Sequence, residues 1–257
     1  MSAHAGHSLQ ALLAVAVFAA YEAGAWRLRR RGDRWTPRRD VVFGAGVAAT
    51  LVPGAPTFTG HMLQHVVLGM VAPVLVVLGR PVTLLLRAVP KTARHRLKRV
   101  LGSWAAGVLV FPPVAAVIEA GSLWLLYRTS LFAAIGDEPW LHGHVFLTGL
   151  LFTTAVCRLD PFRHRVGLGV RAGALIGAAA AHAVLAKTLY VTPPPGVLLA
   201  VADRQAGAQL MYYGGDVVEL GLALIVALQW YAARGRADVR ARRARSRRTG
   251  VPRGARS

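Results

Sequence analysis

The stretch HMLQHVVLGMVAPVLVVLGRPVTLLLR, residues 61–87, decides what kind of protein this is. From 61 to 79 it carries no Asp, Glu, Lys or Arg, and its length matches the ~20 apolar residues that cross the hydrocarbon core of a bilayer. Arg80 ends the run, and Arg87, Lys91, Arg94, Arg96, Lys98 and Arg99 follow. The rest of the chain repeats this alternation, with further apolar runs at 8–26, 40–57, 104–127, 140–157, 171–190 and 205–231. Across 257 residues the composition is 54% hydrophobic and 16% charged, with a formal charge of +20 and a mean hydropathy of +0.44. Those values conflict in a soluble globule but not where apolar spans alternate with basic loops. They exclude a basic nucleic-acid-binding globule, whose charge lies on a folded soluble face, and a disordered chain. One cysteine, Cys157, excludes a disulfide framework and any multi-thiolate site. The expected fold is all-α: a polytopic membrane protein of seven transmembrane helices in one domain, residues 1–233. A basic, disordered cytoplasmic tail follows at 234–257. Span 40–57 is the weakest, thinned by Gly44, Gly46, Pro53 and Gly54. Span 8–26 has its arginines after the apolar run, not before, and reads as a retained helix instead of a secretory signal.

Charge sets the expected topology. The segments after spans one, three and five and the tail hold all but three of the 31 basic residues; Arg128, Lys187 and Arg204 fall on the other side. The positive-inside rule then places the N-terminus outside and the C-terminus in the cytoplasm of a bacterial-type plasma membrane. The basic loops and tail suit anionic lipid headgroups and require no nucleic acid.

With that orientation the polar residues sort themselves. Six of the nine histidines (His4, His7, His61, His65, His142 and His144) lie at the outer side, while His95 and His164 are cytoplasmic and His182 lies inside span six. His61 and His65, four apart, share a helical face about 6 Å apart at Cβ and can hold one metal ion between them. His142 and His144 open span five at the same depth. A spacing of two puts them on different helix faces, so they share a site only if the helix starts late, after Pro139. Met62, Met70 and Met211 add thioethers, and imidazole with thioether suits copper, with zinc as the alternative. With Met1 removed, Ser2-Ala3-His4 forms a nitrogen set that favours Cu(II), beside His7; an uninvolved tip is the other reading. Interfacial histidines also serve simply as partners to headgroups or helix-end carbonyls.

Glu119, His182, Asp216 and Glu219 lie within spans, where ionisable groups are costly and are either functional or paired. Glu119 with His182 forms a candidate buried pair, and Asp216 a candidate cap for a kink near Gly214 and Gly215. Asp203, just before span seven, reads as an N-cap. Pro73 and Pro112-Pro113 are expected to kink spans three and four. Gly173-x-x-x-Gly177 and the Ala178–Ala181 run suggest a thin face for close helix approach.

Three blocks carry a family resemblance: residues 61–87; LHGHVFLTGLLF (141–152) followed by Asp160-Pro161; and DRQAGAQLMYYGGD (203–216). In this order and spacing the chain resembles the CtaG-like polytopic cytochrome c oxidase assembly factors. The resemblance implies a protein that helps assemble a haem–copper oxidase, partnering oxidase subunits and supplying or retaining copper outside the membrane. It matches His61, His65, His142, His144, Asp203 and Met211 to the family's recurrent polar residues. The chain departs from the pattern at Arg204, Tyr212 and Thr153-Thr154. The expected metal ligands are therefore His61, His65, His142 and His144, with Asp203, Met211, Glu119 and His182 as possible additions and copper as the bound ion. No Ser-His-Asp order, P-loop or HExxH suggests an enzyme. Rival readings are a copper or proton-coupled transporter using Glu119, His182 and Asp216; a haem b carrier with axial histidines; and a metal-free scaffold for oxidase assembly. A light-driven pump is disfavoured, since span seven has no lysine for a Schiff base.

Overall fold

The computed structural model describes the backbone of residues 2–136, 138–161 and 166–248, and their side chains apart from those of 2–8, 139, 237, 238 and 240–248. The described chain is helical, with no strand. In order it forms α1 (Ser2–Arg30), α2 (Pro37–Ala49), α3 (Phe58–His65), a π-helical segment (Val66–Val71), α4 (Ala72–Leu78), α5 (Pro81–Ala88) and α6 (Lys91–Leu101). Then come α7 (Trp104–Leu109), α8 (Pro112–Arg128), α9 (Leu131–Ile135), α10 (Pro139–Cys157), α11 (Leu168–Val191) and α12 (Val201–Arg248). The segment 234–248, expected as a loose tail, continues α12; residues 249–257 lie outside the described part, as does His164.

Among the described residues five helices are long and apolar enough to cross a membrane: Leu9–Arg30, Phe58–Leu78, Trp140–Cys157, Leu168–Val191 and Val201–Arg236. The other two expected spans do not form helices of that length, and proline and glycine are the reason. Span 40–57 is helical only within the 13 residues of α2, because the chain beyond Thr50 meets Pro53, Gly54 and Pro56. Span 104–127 breaks at Val110–Phe111, where Pro112 starts α8, a helix of 17 residues. A proline is tolerated at a helix start and not in its interior, so the pair yields a boundary instead of the expected kink. At Pro73 the chain stays helical and takes up the irregularity as the preceding π segment.

The continuous helix Phe58–Leu78 is the most buried of the five and forms the axis of the bundle. α10 and α12 pack directly against it and α2 against its α4 part; α8 and α11 pack on α10 and α12 behind them, and α1 packs on α2 and α5. Two apolar layers result. One contains Phe58, Met62, Leu123, Leu126, Tyr127, Leu185, Leu189 and Met211. The other contains Val77, Ala115, Phe152, Val156, Leu175, Leu222 and Val226. On each helix the ionisable residue falls between the two sets: Glu119 between Ala116 and Leu123, His182 between Ala178 and Leu185, Glu219 between Met211 and Leu222, and His65 between Met62 and Val77. A polar layer thus lies midway through the bundle.

Helix ends inside such a bundle need partners for their free N–H and C=O groups, and residues distant in sequence supply them. The Asp203 carboxylate accepts from Phe58 N (2.8 Å), Thr59 N (3.1 Å) and Thr59 Oγ1 (2.7 Å). Asp160 Oδ1 accepts from Thr83 N (2.8 Å) and Thr83 Oγ1 (2.5 Å) at the start of α5. Buried Arg171 donates to the carbonyls of Val156 (2.6 Å) and Cys157 (3.2 Å) and to Gln229 (2.6 Å), which donates to Cys157 O as well. Arg204 donates to Val191 O at the end of α11. Asp203 is a cap, as expected, but for α3 and not for its own helix.

Candidate metal site

His61 and His65 stand one turn apart on α3, as their spacing requires. His61 Nε2 lies 2.8 Å from the Tyr127 hydroxyl of α8, and its ring meets Phe132 edge-on at 4.9 Å. His142 of α10 lines the same narrow cavity, with Gln64, His65, Leu126, Tyr127 and Val145. Three of the four expected histidines thus line one cavity. His144 is exposed and does not line it. The cause is local: α10 is already helical from Pro139, so no late start brings the two rings to one face. Met211 is fully buried in the apolar layer, and Asp203 has both oxygens turned to α3; neither lines this cavity. The side chains of His4 and His7, and so the Ser2-Ala3-His4 site, lie outside the described residues.

A second cavity of about 20 Å³, room for about one water, lies in the polar layer and is lined by Met70, Glu119, Thr153, His182 and Glu219. His182 Nδ1 lies 3.5 Å from Glu219 Oε1. The expected partner was Glu119, which shares the cavity, but the carboxylate beside the imidazole comes from α12. One glycine makes room for this ring: a Cβ on Gly215 would occupy the place of the His182 imidazole. A second close approach packs α10 onto the axis, because a Cβ on Gly149 would fall on the Gly69 carbonyl. Pro73, four residues beyond Gly69, has no N–H to bond that carbonyl.

His65 and His182, 6% and 7% exposed, face each other across the layer, with ring centres 5.9 Å apart and planes tilted by 30°. Both ring nitrogens of His65, and Nε2 of His182, lack hydrogen-bond partners. Among the described residues no three His, Cys, Asp or Glu side chains gather closely enough to hold a metal as a group. Sequence reading missed Tyr127 as the partner of His61. Its position near the end of span four, at the depth of the histidine pair, was the available signal.

Fold and site together define a polytopic helical membrane protein with histidines drawn into the bundle around its central helix. Residues 19–233 match the family of cytochrome c oxidase caa3 assembly factors (Caa3_CtaG), and the chain belongs to that family. It is 29% identical over 241 residues to the uncharacterized protein Mb0105 of Mycobacterium bovis and equally to MT0111 of Mycobacterium tuberculosis, covering 82% of this chain and 36% of each relative. It is 27% identical over 264 residues to the uncharacterized protein ML1998 of Mycobacterium leprae, covering 91% of this chain and 40% of the relative. The chain thus spans well under half the length of these relatives. No solved structure matches it.

Proposed function

We propose that this protein assists cytochrome c oxidase assembly by holding copper at His61, His65 and His142 and passing it to an oxidase subunit. The observation that supports this most directly is that those three imidazoles, from two helices, line one cavity. Neutral imidazole is a good copper ligand, and the role is binding and transfer with no covalent step. In this reading the chain crosses a bacterial-type plasma membrane seven times, with the N-terminus outside and the C-terminus in the cytoplasm. α2 and α8 complete the set; the 17 residues of α8 reach about 25 Å at helical rise. α6 buries none of its residues and carries Lys91, Arg94, Arg96, Lys98 and Arg99, which suits a helix lying on anionic lipid.

Metal analysis of detergent-purified protein tests the proposal. Wild type retains copper and the His61→Ala/His65→Ala double variant loses it; equal copper in both rejects these ligands. Full oxidase assembly in cells carrying the double variant instead favours a metal-free scaffold. A second reading, a copper or proton-coupled transporter, draws on the buried Glu119, His182 and Glu219. It requires that the protein load vesicles and that Glu119→Gln abolish the flux.

A further inference from the structure

Resting on the reading that this chain handles copper, we propose a second, inner seat for the ion, a buried two-imidazole site. His65 of α3 and His182 of α11 are its ligands, Glu219 of α12 orients His182, and the ion is Cu(I).

The first support is the set of orphaned nitrogens. A neutral imidazole presents one donor and one acceptor, and buried polar atoms are almost always paired. Here three ring nitrogens on two facing, buried histidines have no protein partner. A single ion between the rings would employ one nitrogen from each.

Separation is the second. A metal–nitrogen bond of about 2.0 Å on each side, with about 1.1 Å from nitrogen to ring centre, places two rings sharing one ion in line about 6.2 Å apart. The observed separation is 5.9 Å.

Glu219 supplies the third. Metal-bound histidines characteristically turn their other ring N–H to a carboxylate, which fixes the tautomer and raises ligand basicity. His182 Nδ1 faces Glu219 Oε1 at 3.5 Å, leaving Nε2 as the free nitrogen.

Charge and coordination number then choose the ion. A buried ion in the bundle is costly, and less so for a monovalent than for a divalent one; Glu219 and Glu119 both border the cavity beside His182. Zinc takes four protein or water ligands, and no third His, Cys, Asp or Glu joins this pair among the described residues. An ion held by two imidazoles alone is best a soft d10 monovalent one, and the Met70 thioether on the adjoining cavity suits it as well. His65 lines the cavity shared with His61 and His142, so it links that cavity to the inner seat.

The test is Cu(I) titration of the detergent-purified full chain against a chromophoric Cu(I) chelator, with X-ray absorption on the loaded protein. Wild type is expected to bind Cu(I) with an absorption edge and fine structure of two nitrogen neighbours at about 2 Å. His182→Ala loses that ion, and Glu219→Gln, which keeps the shape, weakens it by about 10–100-fold. His61→Ala and His142→Ala lose the copper of the outer cavity, while the two-nitrogen component remains. If His182→Ala retains wild-type Cu(I) affinity while His61→Ala or His142→Ala loses it, the inner seat is rejected and copper at the outer cavity stands. Wild-type protein that binds no Cu(I) at all rejects both readings. A wild-type spectrum with no two-coordinate component, or Zn(II) displacing Cu(I) at equal concentration, also overturns the inner seat, and these measurements need no variant to fold.

Discussion

Asp203 sits in the first turn of α12, where its charge suits that helix's own dipole, yet its two oxygens bind the opening N–H groups of α3. Asp160 does the same for α5 through Thr83. Each joins two distant segments by satisfying donors that have no water to turn to. Asp160 is 8% exposed, so Asp160→Ala should leave the Thr83 N–H and hydroxyl without an acceptor and cost about 1–3 kcal/mol. Thermal unfolding in detergent measures this. A double variant with Thr83→Val should lose much less than the two single losses summed, since both remove the same contact. Asp203→Ala is expected to lower stability by about 1 kcal/mol, the usual loss of a cap, with metal content unchanged. Copper loss from Asp203→Ala without loss of stability would make it a ligand and not a cap.

Among the elements, the axis helix carries the decisive irregularity. The π segment Val66–Val71 and Pro73 leave the Gly69 carbonyl where α10 approaches, and only a residue without Cβ fits opposite at 149. Gly149→Ala should push α10 from the axis and cost about 1–3 kcal/mol, the range for overpacking a tight contact. The expected small-residue face on α11 behaves otherwise: a Cβ on Gly173 or Gly177 meets nothing within 4 Å. Both Gly173→Ala and Gly177→Ala should therefore change stability by no more than about 0.5 kcal/mol, or raise it slightly through helix propensity. Comparable melting temperatures for Gly149→Ala and Gly173→Ala would contradict this assignment of close contacts.

For the molecule as a whole, the polar layer separates two apolar ones, and the basic segments gather where α4 and α10 end. Cys157 is free and buried, which makes a Cys157→Ser background suitable for reporting topology. In intact cells a membrane-impermeant thiol reagent should label Ser130→Cys, in the turn after α8, and leave Thr92→Cys of α6 unlabelled until the membrane is opened. The reverse pattern would invert the proposed orientation, and labelling of both would mean that an odd number of spans between them is wrong. Arg171, buried where α10, α11 and α12 meet, holds two carbonyls and Gln229. Arg171→Ala should consequently lower the amount of folded protein in the membrane more than any single loop arginine, as quantified by fluorescence-detected size exclusion.

Composition, apolar run length and the placement of arginines were enough to establish a helical membrane protein, because the cost of exposing polar backbone to lipid is paid locally along each span. The ordered blocks around His61, His142 and Asp203 were likewise legible as those of an oxidase assembly factor. Run length alone overstated the helices at 40–57 and 104–127, since Pro53, Gly54 and Pro112 act through backbone geometry that a hydropathy sum does not register. Which imidazoles meet was decided only in three dimensions. Spacing along one helix pairs His61 with His65, but the rotation of α10 excludes His144, and Gly215 lets α12 admit His182 beside His65. Such contacts depend on how helices turn about their own axes, a degree of freedom set by packing between segments far apart in sequence.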